Sequence, residues 1–258
     1  MTTGVRGMVT LKSPPEIERI RASGRVVAEV LGAMSERVRP GITTGELDAI
    51  AEEIIRSHAG ARPAFKGYGG FPASICASVN EEVVHGIPSP DRALAGGDII
   101  GIDVGVLMNG YHADAARTFS VGEPGAGTAE LLDATRAALA AGIEAAQPGG
   151  RLGDISAAIQ EVVEAAGFSV VRELVGHGIG QHLHEDPQVP NFGTAGRGLL
   201  LDEGLVIAIE PMVNVGDCRV RTLEDAWTIV TVDGGRSAHF EHTVAITAEG
   251  PEVLTRAA

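Results

Sequence analysis

The chain has 258 residues, 44% of them hydrophobic and 21% charged, a balance that excludes a disordered protein. No stretch reaches the roughly 20 uninterrupted apolar residues of a membrane helix, and the amino terminus, MTTGVRGMVTLKSPPE, has no apolar leader core, so a cytoplasmic protein is expected. The net charge of −14, with Lys12 and Lys66 the only lysines, argues against binding nucleic acid through a basic face, and Cys76 and Cys218 are too few for a disulfide framework.

Ser13-Pro14-Pro15-Glu16 sets an N-cap serine, first-turn prolines and a capping-box glutamate in order, which predicts a helix start. Ile17, Ile20, Val27, Leu31, Met34 and Val38 continue near helical spacing until Arg39-Pro40-Gly41. A second helix opens at Thr43 with Glu46 in capping-box register, packs Leu47, Ile50, Ile54 and Ile55, and stops at Gly60. Asp98 to Met108 reads as a strand, Asn109-Gly110 as a two-residue hairpin turn, and Tyr111 to Val121 as the returning strand. Helices are predicted over 128–146 and 152–166, separated by Pro148-Gly149-Gly150. Gly204 to Val213, Ala226 to Val232 and His239 to Thr247 read as further strands.

Two halves echo each other. Each has a helix ending in Pro-Gly, a second helix, and later an Ile-rich strand ending in a carboxylate. The Pro-Gly pairs at Pro40 and Pro148 are 108 residues apart, and Asp103 and Glu210 are 107 apart, which argues for an internal duplication.

The carboxylates carry the chemistry. If Asn109-Gly110 forms the turn, Gly105 lies opposite Asp114, so Asp103 and Asp114 are diagonal neighbours on one face, roughly 7–8 Å apart at the backbone. Such a pair repels unless a positive charge sits between its members. Solvent-facing carboxylates are the commoner case, but Ile99-Ile100-Gly101-Ile102 argues for burial, where an unpaired charge is costly. Glu210 joins them by the symmetry of the halves. Alternation sets Glu241 on the face opposite Phe240, Val244 and Ile246, which by itself predicts a solvent-facing residue. Gly176 to Glu185 holds His177, His182 and His184 among glycines, and His85 follows Asn80-Glu81-Glu82-Val83-Val84. Four carboxylates and one imidazole suit a pair of divalent transition ions that activate a water for hydrolysis.

In this order and in these contexts (NEEVVHGIP, GIDVGV, YHADAARTF, GHGIGQHLHEDP, AIEPM and FEHTVAIT) the residues resemble the type I methionine aminopeptidases of peptidase family M24, from about Ser13 to the carboxyl terminus. The resemblance implies an α/β (α+β) pita-bread fold, with pseudo-twofold duplicated halves and a curved antiparallel sheet flanked by helices. Residues 1–12 would be a lead and 13–258 one catalytic domain, with halves of roughly 13–125 and 126–258. Asp103 would chelate one ion, His177 and Glu210 would serve the second, and Asp114 and Glu241 would bridge. Glu210 would also take a proton from the attacking water. His85 and His184 would contact the substrate and stabilise charge at the scissile carbonyl. Tyr68, Phe71, Cys76, Leu183 and Trp227, with Phe65, would line a methionine pocket in which Leu183, Phe65 and Phe71 depart from the family's usual residues.

The implied activity is removal of the amino-terminal methionine from nascent proteins and peptides, preferentially before a small second residue. Its cofactors would be two divalent metal ions per chain, drawn from Co, Mn, Fe or Zn. Its partners would be nascent chains beginning with Met. The reading leaves ribosome association open, and expects no membrane, no sequence-specific nucleic acid and a monomer. Proline-specific or creatinase-like peptidases carry a long domain ahead of the catalytic one. Type II methionine aminopeptidases insert a helical subdomain, for which the 25 residues between His184 and Glu210 leave little room. A non-catalytic binding module would be expected to lose ligands. A dinuclear phosphoesterase would need basic residues, of which the site segments offer only Arg117, Arg219 and Arg221.

Overall fold

The computed structural model describes residues 9–256; of the lead, residues 1–8 lie outside the described residues. Among the described residues four α-helices form: α1 (Pro14–Arg37), α2 (Thr44–Ser57), α3 (Ala126–Ala145) and α4 (Leu152–Ala165). The first two start as their capping boxes predict. Glu16 Oε2 accepts from Ser13 N–H at 2.8 Å, and Glu46 Oε2 accepts from Thr43 N–H at 2.8 Å. The third begins at Ala126, two residues before the expected 128, because Gly125 O already accepts from Thr128 and Ala129 N–H.

Five strands belong to the first half: β1 (Ala61–Pro63), β2 (Ile75–Val79), β3 (Glu82–Val84), β4 (Ile99–Met108) and β5 (Tyr111–Ser120). The second contributes β6 (Ser169–Val170), β7 (Gly176–Gly178), β8 (Glu185–Val189), β9 (Val206–Ile209), β10 (Met212–Asn214), β11 (Val220–Thr222), β12 (Ile229–Thr231), β13 (Ser237–His239), β14 (His242–Thr247) and β15 (Gly250–Val253). The named pairings are antiparallel, and the two principal sheets are β1-β4-β2 with β5 on β4, and β15-β14-β9-β7-β8.

The duplication is visible in hydrogen bonds. Gly41 N–H donates to Leu94 O at 2.8 Å, as Gly149 N–H does to Leu201 O at 2.9 Å; Thr44 N–H donates to Arg92 O at 3.0 Å, as Leu152 N–H does to Leu199 O at 2.9 Å. Gly41 and Gly149 share a left-handed φ of 87° and 80°. In each half a helix pair covers its sheet. Ile20, Met34, Leu47 and Ile55 pack on Ile75 and Ile102, while Leu131, Ile155 and Ile159 pack on Ile207 and Ile209. Each such side chain contributes roughly 1.5–3 kcal/mol by leaving water. Ile102 and Val104 point at the helices, so Asp103 and Gly105 face the other way.

Three strand expectations change. Gly204 to Val213 is broken at Glu210-Pro211, and His239 to Thr247 is broken at Phe240-Glu241. Register is nonetheless continuous across the break, with Ile209 opposite His242 and Met212 opposite His239. The two breaks are therefore one kink in one ribbon, set where proline offers no N–H. Ala226 to Val232 shortens to β12, after the Asp225 side chain has caught the N–H groups of Trp227 and Thr228.

The halves meet along a seam between β5 and the kinked ribbon. Thr243 Oγ1 donates to Asp114 O at 2.7 Å and accepts from Asp114 N–H at 3.0 Å. Glu241 N–H donates to Ala116 O at 2.9 Å. Thr118 Oγ1 donates to His239 O and accepts from His239 N–H, both at 2.9 Å. Threonine hydroxyls thus stand in for part of a backbone ladder. The seam overturns the solvent-facing expectation for Glu241, which is 2% exposed because β5 covers it.

Candidate metal centre and substrate pocket

Turn geometry positions the first two carboxylates. Asn109 and Gly110 form the turn with left-handed φ of 54° and 82°, Met108 pairs with Tyr111, and Gly105 pairs with Asp114. Asp103 and Asp114 therefore share a face, as expected. The kink supplies two more: Glu210 follows β9 and Glu241 precedes β14, facing each other across the ribbon. His177 comes from β7, beside β9.

One cavity of about 140 Å³ collects every site residue expected from the sequence: Asp103, Asp114, His177, Glu210 and Glu241, with His85 and His184, and Phe65, Tyr68, Phe71, Cys76, Leu183 and Trp227. Phe71 and Trp227 meet edge to face at 5.1 Å, and His85 meets Trp227 at 6.5 Å. His184 Nδ1 lies 2.8 Å from Tyr68 Oη, and its ring centroid is 4.3 Å from that of His177. A larger cleft of about 730 Å³ opens beside the carboxylates and shares His85, Asp103, His177, His184 and Glu210 with the small cavity. Of these two cavities, His182 lines the cleft alone.

The electrostatics call for a cation. Burial pushes Asp103 up to about 7, against hydrogen bonds with Asp114 and the Val104 N–H. Asp114, Glu210 and Glu241 are raised well above the ordinary carboxylate range, first by burial and then by one another. Asp103 Oδ1, Asp114 Oδ1 and Glu241 Oε1 are buried without hydrogen-bond partners. His177 Nδ1–H donates to Gly178 O at 2.9 Å, which turns the Nε2 lone pair towards Glu210 Oε1 at 3.6 Å and Asp114 Oδ2 at 4.0 Å. Burial, and then His184, lower this imidazole to about 4, so it is neutral at pH 7. A lone pair aimed at carboxylates is repulsive unless a cation lies between them. Donor atoms of Asp114, His177 and Glu241 all lie within 4.8 Å of one another, a spacing that fits one divalent ion with bonds of roughly 2.0–2.2 Å.

Residues 18–248 match metallopeptidase family M24. The chain belongs to that family. The methionine aminopeptidase of Clostridium perfringens is 56% identical over 248 residues, covering 96% of this chain and 99% of that protein. Methionine aminopeptidase 1 of Bacillus subtilis is 53% identical, covering 96% of this chain and 100% of its own. The crystal structure of Thermotoga maritima methionine aminopeptidase superposes with a TM-score of 0.94 at 48% identity, covering 96% of this chain and 100% of the other. Prolidase from Pyrococcus furiosus matches less closely, with a TM-score of 0.77 at 26% identity, this chain's match spanning 66% of it. The pita-bread architecture expected from the sequence is therefore that of the M24 peptidases.

Three features of this M24 centre escape sequence reasoning. His239 is 3% exposed, with an unpartnered Nε2 at 3.8 Å from Glu210 Oε2 and 3.9 Å from Glu241 Oε2. Its two-residue spacing from Glu241 was the available signal. Asn191 Nδ2 donates to Glu210 O at 2.9 Å and holds the kink. Gly105 makes room for the pocket wall, because a Cβ there would lie 2.5 Å from Phe65 Cε1. Gly105→Ala is expected to cost about 1–3 kcal/mol by overpacking, read by denaturant melts. A variant as stable as the parent would show that the Phe65 ring moves freely.

Among the described residues, arginine lines neither cavity, and the cleft's Lys12 is paired with Glu185 at 2.6 Å, so none of them is a free base awaiting a phosphate. Arg117 lies over the Phe119 ring, and Arg219 pairs with Asp217. Cys76 and Cys218 are both free thiols; burial, and then Asp103, raise Cys76 well above the usual thiol range, so it is an inert wall residue. Among the described residues no helix is long and apolar enough to cross a membrane.

Proposed function

We propose that the protein is a methionine aminopeptidase. It removes amino-terminal methionine from peptides and from nascent chains in the cytoplasm, preferentially before a small second residue. The observation that carries this reading is the meeting of a small pocket, lined in part by Phe65, Phe71, Leu183 and Trp227, with a larger cleft at a cluster of carboxylates. About 140 Å³ is well below the roughly 300–1,000 Å³ of pockets for whole small molecules, and suits one side chain. A thioether fits the Phe71–Trp227 wall, where sulfur–aromatic contacts contribute roughly 0.3–1.5 kcal/mol each. The rest of the peptide leaves through the cleft. The scissile bond then falls at the residues that both cavities share.

Asp103, Asp114, His177, Glu210 and Glu241 would hold two divalent ions, drawn from Co, Mn, Fe or Zn. Such ions supply Lewis acidity towards the scissile carbonyl and a water acidic enough to attack near neutral pH. The residues do the remainder. Glu210, which lines both cavities at the kink, takes the proton of the attacking water and passes it to the leaving amine. If Tyr68 O–H donates to His184 Nδ1, His184 Nε2–H is left to donate into the cavity, where it meets charge developing on the carbonyl oxygen. His85 is half-buried, its imidazole lowered by burial and then by His184, and offers a second donor. The substrate's free ammonium lies against the carboxylate end, which selects for an unblocked amino terminus. Residues 13–258 act as one catalytic domain with halves 13–125 and 126–258.

The test is methionine release from Met-Gly-Ser by protein stripped with a chelator, before and after adding Co²⁺ or Mn²⁺. An N-acetylated copy and a Pro-led copy of the peptide run beside it. Metal-dependent release from the free Met peptide alone is expected. Cleavage of the Pro-led peptide, or no release with any ion from a folded protein that binds metal, would overturn the assignment.

A further inference from the structure

Thr10 and Lys12 line the cleft beside the centre. Lys12 is 5% exposed. Its N–H donates to Gly204 O at 2.7 Å, and its ammonium donates to Thr10 O at 2.8 Å and Glu185 Oε2 at 2.6 Å. The other Glu185 oxygen, Oε1, accepts from His182 N–H at 3.0 Å. One carboxylate thus ties the lead to the turn 182–185, and His184 lies inside that turn. The fit is close in volume as well as charge. A Cβ on Gly180 would lie 2.5 Å from Lys12 Cε and 2.8 Å from Glu185 Oε1, so the lysine stem has its place only because residue 180 lacks a side chain.

A buried ion pair gives little net stability, because desolvation offsets the attraction, but losing one partner strands the other charge. Glu185 without Lys12 would be such a stranded carboxylate, and it would turn towards water, taking its hydrogen bond to His182 with it. We propose that Lys12 is a positioning residue of this peptidase: through Glu185 it fixes the 182–185 turn, and so the place of His184 at the mouth of the pocket. This rests on the reading of His184 as a substrate contact. No reacting atom comes to Lys12 itself.

Lys12→Met keeps most of the stem and removes the charge; Glu185→Gln removes the other half of the pair. Each variant, in the metal-loaded enzyme, is measured for kcat and KM on Met-Gly-Ser, for cation binding by calorimetry, and for amide hydrogen exchange. A misplacement of about an ångström should lower kcat on the order of tenfold to a hundredfold. KM should move by less than about threefold, since uniform binding is untouched. Cation stoichiometry stays the same, exchange at residues 182–185 quickens, and exchange in β4 and β5 does not. The double variant loses no more than either single one. In a His184→Ala background, Lys12→Met lowers kcat no further.

Equal slowing by Lys12→Met with and without His184, or unchanged exchange at 182–185, would overturn the proposal. His184→Ala with parental kcat would sink the reading of His184 and this proposal with it, and that single variant is measured first. If Lys12→Met does not fold, Glu185→Gln in the same two backgrounds makes the same comparison.

Discussion

Glu241→Gln is expected to lower peptide hydrolysis by more than about a hundredfold, above the 10–100-fold typical of residues that only support a metal ligand, and yet to raise the melting temperature of the metal-free protein. Both effects follow from one carboxylate. Glu241 is 2% exposed, its Oε1 has no partner, and Glu210 and Asp103 add repulsion to the cost of its burial. Without cations, each pH unit by which such a group is raised stands for about 1.4 kcal/mol against folding. A neutral amide of the same shape removes that cost. At this chain length about 1 kcal/mol moves the melting temperature by roughly 2–4 °C. Calorimetric titration with Mn²⁺ should show at least one cation lost. A variant that keeps two cations and the parental kcat would remove Glu241 from the centre.

The second large effect concerns pH. The melting temperature of metal-free protein should fall steadily from pH 6.5 to 8.5, and metal-loaded protein should not show that fall. Unfolded Asp and Glu side chains titrate near pH 4, so above 6.5 the unfolded chain has released these protons. The folded chain still retains some, because Asp103 is raised to about 7 and Asp114, Glu210 and Glu241 are raised well above their ordinary range. The native state then binds more protons than the unfolded one, and stability declines as pH rises, by about 1.4 kcal/mol per pH unit for each retained proton.

Below pH 6.5 the buried histidines act against this trend. Burial lowers His177 and His242 to about 4 and His239 to about 3, while the unfolded histidines protonate near 6.5. Stability from these neutral histidines is therefore lost as pH falls through 6.5 towards 4. Flat melting temperatures across 6.5–8.5 without metal would mean that the four carboxylates are already ionised and hydrated.

The hairpin was readable because Asn109-Gly110 sets loop length, loop length sets register, and register sets which residues share a face. That chain of dependence is local and needs no knowledge of the rest of the fold. Glu210 was readable at one remove, through the offset that links it to Asp103. Glu241 was not readable from its own strand. Alternation gives its face correctly but supplies no information on what covers that face, and here the cover is β5, more than a hundred residues earlier. The same limit hid Thr118 and Thr243, whose hydroxyls look like ordinary strand residues until the opposing backbone is in place. Lys12 was noted only as one of two lysines; its pairing with Glu185 depends on a glycine at position 180 that leaves no trace in periodicity. The strand boundaries at Glu210 and Phe240 were missed because apolar patterning runs through the kink, while Pro211 alone marks it.

The threonine seam has a consequence for how such a chain can vary. Asp103 and Asp114 belong to the first half, and His177, Glu210 and Glu241 to the second, so neither half owns the proposed set of donors. Catalysis is then inherited as a property of the joint. A substitution at Thr118 or Thr243 touches no substrate, but it shifts two ligand-bearing strands against each other. Natural selection would record it as a loss of enzyme rather than a loss of fold. The two halves can drift apart in sequence almost everywhere except along the line where they are sewn together.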